Sequence, residues 1–330
     1  LVKRVLTFAC GRSDRTKALF DGSVRAAGLD LAMLALPPSE IFPRALTRAE
    51  FDVCELSASS YVVQLSRGES QYVALPVFLS RSFRLDAIYV RDDRDISCPA
   101  DLGGRKLGTP EFQMTAGLWA RGILKDRYGL DPRSMAWTTG GLNASGRKER
   151  IPITPGPGYR ITPAPEGRSL NDLLQEGVLD GVIAPEPPSC FRNADAGVRR
   201  LFADPRAEEK AYFEQSGIFP IMHLVAVRRS VLESRPDIAV ALYEALVAAR
   251  DDGYRRLEAM AAAPSLPIML PFLAAEIAET RRIMGADHWP YGVAANSATI
   301  EALCRHSADQ GLSARPVSPD ELFFETLRST

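Results

Sequence analysis

The sequence predicts an α/β protein of two related lobes facing one cleft, and three observations lead there. Short apolar segments alternate with helical ones from Val2 to Phe78. The pattern breaks after Phe78 and resumes as a second α/β layer from Pro99. Residues 49–53 and 176–183 then echo one another: a helix ends, an acidic residue marks the turn, and a short apolar strand runs into a polar loop. Alternation of this kind builds parallel sheets from βαβ units, which bind ligands beyond the carboxyl ends of their strands. The two echoing loops carry Glu55, Ser57 and Ser59 in one case and Glu186 and Ser189 in the other, so both face the same cleft.

Taken in order, residues 2–9 read as a first strand, 14–24 as a helix and 28–34 as a second strand. A helix follows from Pro38 to Leu46, with Ser39 as its N-cap and Glu40 in its first turn. Residues 51–57 form a short buried strand that leads into a small-residue helix start at Ala58, Ser59, Ser60 and Tyr61. An extended run over 86–90 precedes the second layer, which closes near another extended run over 217–223. The Pro- and Gly-rich residues 151–166 read as an irregular excursion or hairpin. Beyond Pro236 the chain is mostly helical, over 238–256, 272–284 and 297–310.

At 330 residues, 46% hydrophobic and 25% charged, the chain has material for about two cored domains. A formal net charge of −1 gives no global field to recruit nucleic acid or an anionic membrane. No apolar run approaches the roughly 20 residues of a membrane span. Lys3-Arg4 and the short apolar run after them are too brief for a signal peptide and suit a strand better. The five cysteines are scattered and form no C-x-x-C pair. Neither a disulfide framework nor a thiolate zinc site is indicated, and a cytoplasmic location is expected.

Residues 108–116, Gly-Thr-Pro-Glu-Phe-Gln-Met-Thr-Ala, carry the most chemical information. They follow the apolar run at Leu107 and feed an amphipathic helix over 117–124. First-turn amides lack intrahelical partners and sit at the positive end of the helix dipole, so a strand, turn and helix start of this kind holds an anion. No glycine-rich phosphate loop accompanies it, which favours a carboxylate over a phosphate.

Several motifs, in order, resemble the 4,5-dihydroxyphthalate decarboxylase family. They are Asp14-Arg15-Thr16, residues 50–57, residues 76–84, the 108–116 segment with Arg121-Gly122-Ile123-Leu124, Trp137-Thr138-Thr139-Gly140-Gly141, residues 217–223 and Trp289-Pro290-Tyr291-Gly292. The resemblance covers nearly the whole chain. It implies a two-lobed, type II periplasmic-binding-protein-like fold with two crossover strands. Lobe 1 would comprise residues 1–83 plus 224–330, completed by the C-terminal helices, and lobe 2 residues 84–223. Ser13 stands where an aromatic is expected and Leu85 where relatives often carry histidine.

The resemblance also implies a chemistry: non-oxidative loss of carbon dioxide from a hydroxylated aromatic dicarboxylate. Cations must hold two adjacent carboxylates, with a base near the hydroxyls and an acid near the ring carbon. Arginine pairs bidentately with carboxylate, which makes Arg15, Arg81 and Arg84 the expected binding residues, with Arg12 and Arg147 as further loop candidates. Ser57, Ser59 and Thr115 are expected to supply hydroxyls and helix-start amides, though helix capping alone would also account for them. Phe83 is expected beside the ring, whereas Phe112 and Trp119 fit either the ring pocket or the core. His223 is the expected proton carrier, because an imidazole titrates near neutral pH; packing against Met222 and Phe219 is its structural alternative. Glu55 and Glu111 are the alternative acid–base groups, or partners for neighbouring arginines. No cofactor is predicted. Three histidines give no legible ligand cluster, which leaves a divalent metal on the catechol an open alternative. The expected partner is a small aromatic carboxylate, not nucleic acid or membrane, and the helical last third offers surface for a homo-oligomer. The competing reading is a solute-binding protein of the same fold that captures an anionic ligand without chemistry. A third reading, the effector domain of a transcription regulator, needs a helix-turn-helix that the first residues do not provide.

Overall fold

The computed structural model describes residues 5–154, 156–192, 197–265 and 267–330. Its strands are β1 (Val5–Cys10), β2 (Asp30–Ala35), β3 (Val53–Ser57), β4 (Tyr72–Arg81), β5 (Ile88–Arg91) and β6 (Lys106–Thr109). They continue with β7 (Ala136–Thr139), β8 (Arg160–Pro163), β9 (Gly181–Ile183), β10 (Val198–Arg200) and β11 (Ile221–Arg228). Two sheets form, in the orders β2-β1-β3-β11-β4 and β10-β5-β9-β6-β7-β8. The expected parallel pairing is present between β1 and its neighbours β2 and β3, and again through β9, β6, β7 and β8. The departures are β5, antiparallel to both β9 and β10, and β11, which returns from the second lobe and inserts antiparallel between β3 and β4. The chain leaves the first sheet after Arg81, so the division expected between residues 223 and 224 falls inside β11.

Local differences from the sequence reading have local causes. The helix expected over 14–24 is only Lys17–Phe20, because Gly22 takes φ +75° and turns the chain. Ser39 is not an N-cap: Pro37 holds that position and Pro38 opens the helix Pro38–Arg48, where a missing N–H costs no helical bond. The 151–166 excursion ends not in a hairpin but in β8, an edge strand parallel to β7. The described part of the first strand is Val5–Cys10, and residues 2–4 of the expected strand lie outside the described residues.

The lobes are joined by packing as well as by chain. Helix Thr115–Tyr128 buries Leu118, Trp119, Ile123 and Leu124, and the Trp119 Nε1–H donates to the Ile221 carbonyl at 2.9 Å. Phe112 and Trp119 are thus core residues, both fully buried. On helix Ser297–Asp309, buried His306 meets Trp119 edge-on, with ring centroids 5.4 Å apart. It lies so close to Gly122 that a Cβ there would come within 2.5 Å of the ring.

This contact makes an acid-stability prediction. Burial pushes the His306 imidazole well below its ordinary value, against the opposing pull of Asp126. The unfolded chain therefore takes up this proton first, and the contribution to stability falls as pH drops below about 6.5. Glu149 and Glu209, whose carboxyls burial raises to about 7, act in the opposite sense. Urea midpoints of wild type and His306→Gln should therefore be compared between pH 7.5 and 5.5. The variant should gain relative to wild type as pH falls, and a constant difference would remove His306 from the acid response.

Candidate active site

Strand pairing creates the central contact. In the β3–β11 register His223 lies opposite Ser57 and Val225 opposite Glu55, which makes Glu55 and His223 diagonal neighbours on one face. His223 Nδ1–H donates to Glu55 Oε1 at 2.7 Å, and the Gly11 N–H donates to Glu55 Oε2 at 2.9 Å. Burial opposes ionisation of Glu55, but the hydrogen bond and charge of His223, the Gly11 amide and Arg15 together hold its carboxyl below the ordinary value. With Nδ1 engaged, Nε2 is the imidazole nitrogen left for chemistry. Phe42 meets the imidazole edge-on, with ring centroids 4.9 Å apart.

His223 lines a cleft of about 360 Å³. Three arginines share it: Arg84 from the crossover, and Arg147 and Arg150 from the second lobe. Burial lowers the Arg84 and Arg150 guanidinium pKa values while nearby carboxylates counter the shift. Glu111, 2% exposed, stands behind two of the three. Its Oε1 accepts from Arg147 Nε at 2.8 Å and Arg150 Nη2 at 3.0 Å, and its Oε2 accepts from Gln113 Nε2 at 2.7 Å. The guanidinium of Arg150 lies over the Phe42 ring at 5.2 Å.

Two helix starts, one from each sheet's side, meet at this cleft. Ser57 is the N-cap of helix Ala58–Ser66, and Thr115 is the first residue of Thr115–Tyr128. Thr115 Oγ1 accepts the Ser59 N–H at 3.1 Å and lies 3.0 Å from Ser57 Oγ. The positive ends of both helices are thereby held together. The start of Pro38–Arg48, at Pro37 and Ser39, adds a third.

Of the residues expected from sequence, the structure brings His223, Arg84, Ser57 and Thr115 to the cleft wall. Glu55, Glu111 and Ser59 are buried behind it; Glu111 is a positioning residue for arginines, since both its oxygens are occupied. Three expectations are corrected. Arg81 is 6% exposed and holds the crossover, donating to the Phe219 and Pro290 carbonyls and to Asn296 Oδ1. Arg15 donates to Leu79 O and Asp14 and lies 4.2 Å over the Trp289 ring. Phe83 stacks on Phe219 at 4.8 Å and lines a separate groove. The two arginines are engaged by carbonyl, carboxylate and aromatic partners and Phe83 by aromatic ones, and none of the three lines this cleft. Glu186 of the second echoing loop does reach the cleft, whereas the Ser189 amide binds Asn143. Sequence reasoning missed Arg150 and Phe42 and ranked Arg147 low. The basic run Arg147, Lys148, Arg150 was the available signal. Among the described residues, no group of three or more His, Cys, Asp or Glu side chains is placed to hold a metal ion.

The arrangement can bind adjacent carboxylates on one wall and move a proton at Nε2 of the other. Glu111→Ala should weaken phthalate binding about tenfold or more by releasing Arg147 and Arg150 together. Calorimetric titration checks this, and an unchanged affinity would show that the arginines do not need their anchor.

No family model matches the chain. It is 40% identical over 321 residues to the 4,5-dihydroxyphthalate decarboxylase of Comamonas testosteroni, covering 97% of this chain and 96% of that protein. It is also 40% identical over 208 residues to the 4,5-dihydroxyphthalate decarboxylase of Pseudomonas putida, covering 63% of this chain and 81% of that protein. Among solved structures it resembles the periplasmic aliphatic sulphonate binding protein SsuA of Escherichia coli, at TM-score 0.54 and 14% identity over 99% of each chain. The alkanesulfonate-binding protein SsuA of Xanthomonas axonopodis pv. citri, bound to MOPS, gives TM-score 0.52 and 13% identity over 97% of this chain and 98% of that one. These neighbours establish the two-lobed periplasmic-binding-protein fold and nothing about chemistry. Sequence identity kept across nearly the full length is the stronger tie, and by it the chain belongs to the 4,5-dihydroxyphthalate decarboxylase family.

Proposed function

We propose that the protein is a carboxy-lyase that converts 4,5-dihydroxyphthalate to protocatechuate and carbon dioxide. The observation that carries this reading is the Glu55–His223 pair sharing one cleft with Arg84, Arg147 and Arg150. In this substrate each carboxylate is para to a hydroxyl. The arginines and the start of helix Thr115–Tyr128 hold the two carboxylates, and Nε2 of His223 takes the proton of the para hydroxyl. The resulting phenolate pushes electron density onto the carbon that bears the carboxylate. That carbon gains a proton, its bond to the carboxylate breaks, and the electron pair returns to the ring as carbon dioxide leaves. The phenolate then recovers its proton from His223, so each turnover consumes one solvent proton. A cytoplasmic location belongs to the same proposal, supported by five cysteines outside any disulfide.

Incubation with 4,5-dihydroxyphthalate should release carbon dioxide and protocatechuate in equal amounts. In D2O the product should carry one deuterium at the carbon that lost its carboxylate. His223→Ala should lower kcat by about 10² to 10⁴-fold while phthalate still binds. Saturable binding without turnover in the wild type would favour a solute-binding protein, and full turnover in the histidine variant would take His223 out of the mechanism.

A further inference from the structure

Arg84 differs from the other cleft arginines in having no buried carboxylate on its guanidinium. Its described hydrogen bond runs from Nε to the sulfur of Met222 at 3.3 Å. Its position is therefore set by the backbone of residues 82–87, which links β4 to β5 outside either sheet. Two side chains grip that backbone immediately after Arg84, and one of them, Arg200, donates from Nε to the Asp86 carbonyl at 3.2 Å. Glu209, on helix Pro205–Ser216, accepts the Leu85 N–H at 3.1 Å and the Asp86 N–H at 3.2 Å on the same oxygen, Oε1. Leu85 itself is fully buried, so the chain on either side of the gripped amides has little room to shift.

We infer that Glu209 is a positioning residue for substrate binding, holding the crossover so that Arg84 presents its guanidinium to a carboxylate in the cleft. The inference rests on the reading of the cleft as a carboxylate site. Keeping a carboxyl here is unfavourable: burial raises it to about 7, against the two amides and the charge of Arg84. Nearby cations are otherwise engaged, Arg206 with Glu276 and Glu279, and Lys210 with Glu279. Glu209 thus forms no described ion pair, and its hydrogen bonds go to the segment that carries Arg84.

The test is a double-mutant cycle read by calorimetric titration with phthalate, which lacks the hydroxyls needed for turnover. Glu209→Ala should raise the Kd about tenfold, the scale of one hydrogen bond to a charged group. In the Arg84→Ala background the same change should add less than about twofold, because the two residues act as one. With 4,5-dihydroxyphthalate the loss should appear in KM with kcat nearly unchanged. Glu209→Gln keeps the acceptor oxygen and should stay within about twofold of wild type. Should Glu209→Ala fail to fold, Glu209→Asp replaces it, since a shorter carboxylate cannot reach both amides and should raise KM several-fold. An equal loss with and without Arg84, a Gln variant as weak as Ala, or an Asp variant indistinguishable from wild type would each overturn the inference. Unchanged phthalate affinity in Glu209→Ala would also overturn it and leave the cleft reading intact. No phthalate binding to the wild type would overturn both.

Discussion

The antiparallel insertion of β11 between β3 and β4 is the constraint on which the rest depends. A strand beginning at Ile221 is placed beside one ending at Ser57, and its register sets His223 diagonally across from Glu55. The same strand offers the Ile221 carbonyl to Trp119 and the Met222 sulfur to Arg84. Shifting it by one residue would turn His223 away from Glu55 and withdraw each of these contacts from its partner. The long-range pairing that stabilises the sheet is therefore also what assembles the cleft.

A common design runs along the cleft wall. Beside Glu186 and Arg84, the groups that face the cleft include the His223 imidazole and the Arg147 and Arg150 guanidiniums, and buried carboxylates stand behind these three. Glu55 holds His223, and Glu111 holds Arg147 and Arg150. Buried charges are costly unless paired and hydrogen-bonded, and each of these glutamates has both oxygens engaged. The result is one imidazole and two guanidiniums whose orientation is fixed before a ligand arrives. An arginine already held in place loses less freedom on binding a carboxylate, and a preset imidazole needs no reorganisation during proton transfer.

Much of the fold was legible from the sequence because strand and helix periods are local signals. The αβ alternation, the helix start at Ala58, the 108–116 turn and the three C-terminal helices all followed from residues within one element. Which residues meet was a different matter. Glu55 and His223 were both singled out, but they are 168 residues apart and nothing local couples them. The motifs carrying the family resemblance misled in an instructive way. Arg15, Arg81, Phe83, Trp289 and Pro290 belong to them, yet they bind one another and nearby carbonyls at the crossover. Arg150 lies outside those motifs, just before the 151–166 run read as irregular, and the structure brings it to the cleft. An arginine's chemistry is readable from sequence, whereas its partner is set by packing.

The central claim is that Glu55 fixes His223 with its proton on Nδ1 and Nε2 bare toward the cleft. Nitrogen-15 NMR of the imidazole reads this directly, because protonated and bare ring nitrogens of a neutral histidine resonate far apart. The account predicts a protonated Nδ1 and a bare Nε2 for the neutral imidazole in the wild type, with that preference lost in Glu55→Ala. A proton on Nε2 in the wild type, or a pattern indifferent to loss of Glu55, would contradict it.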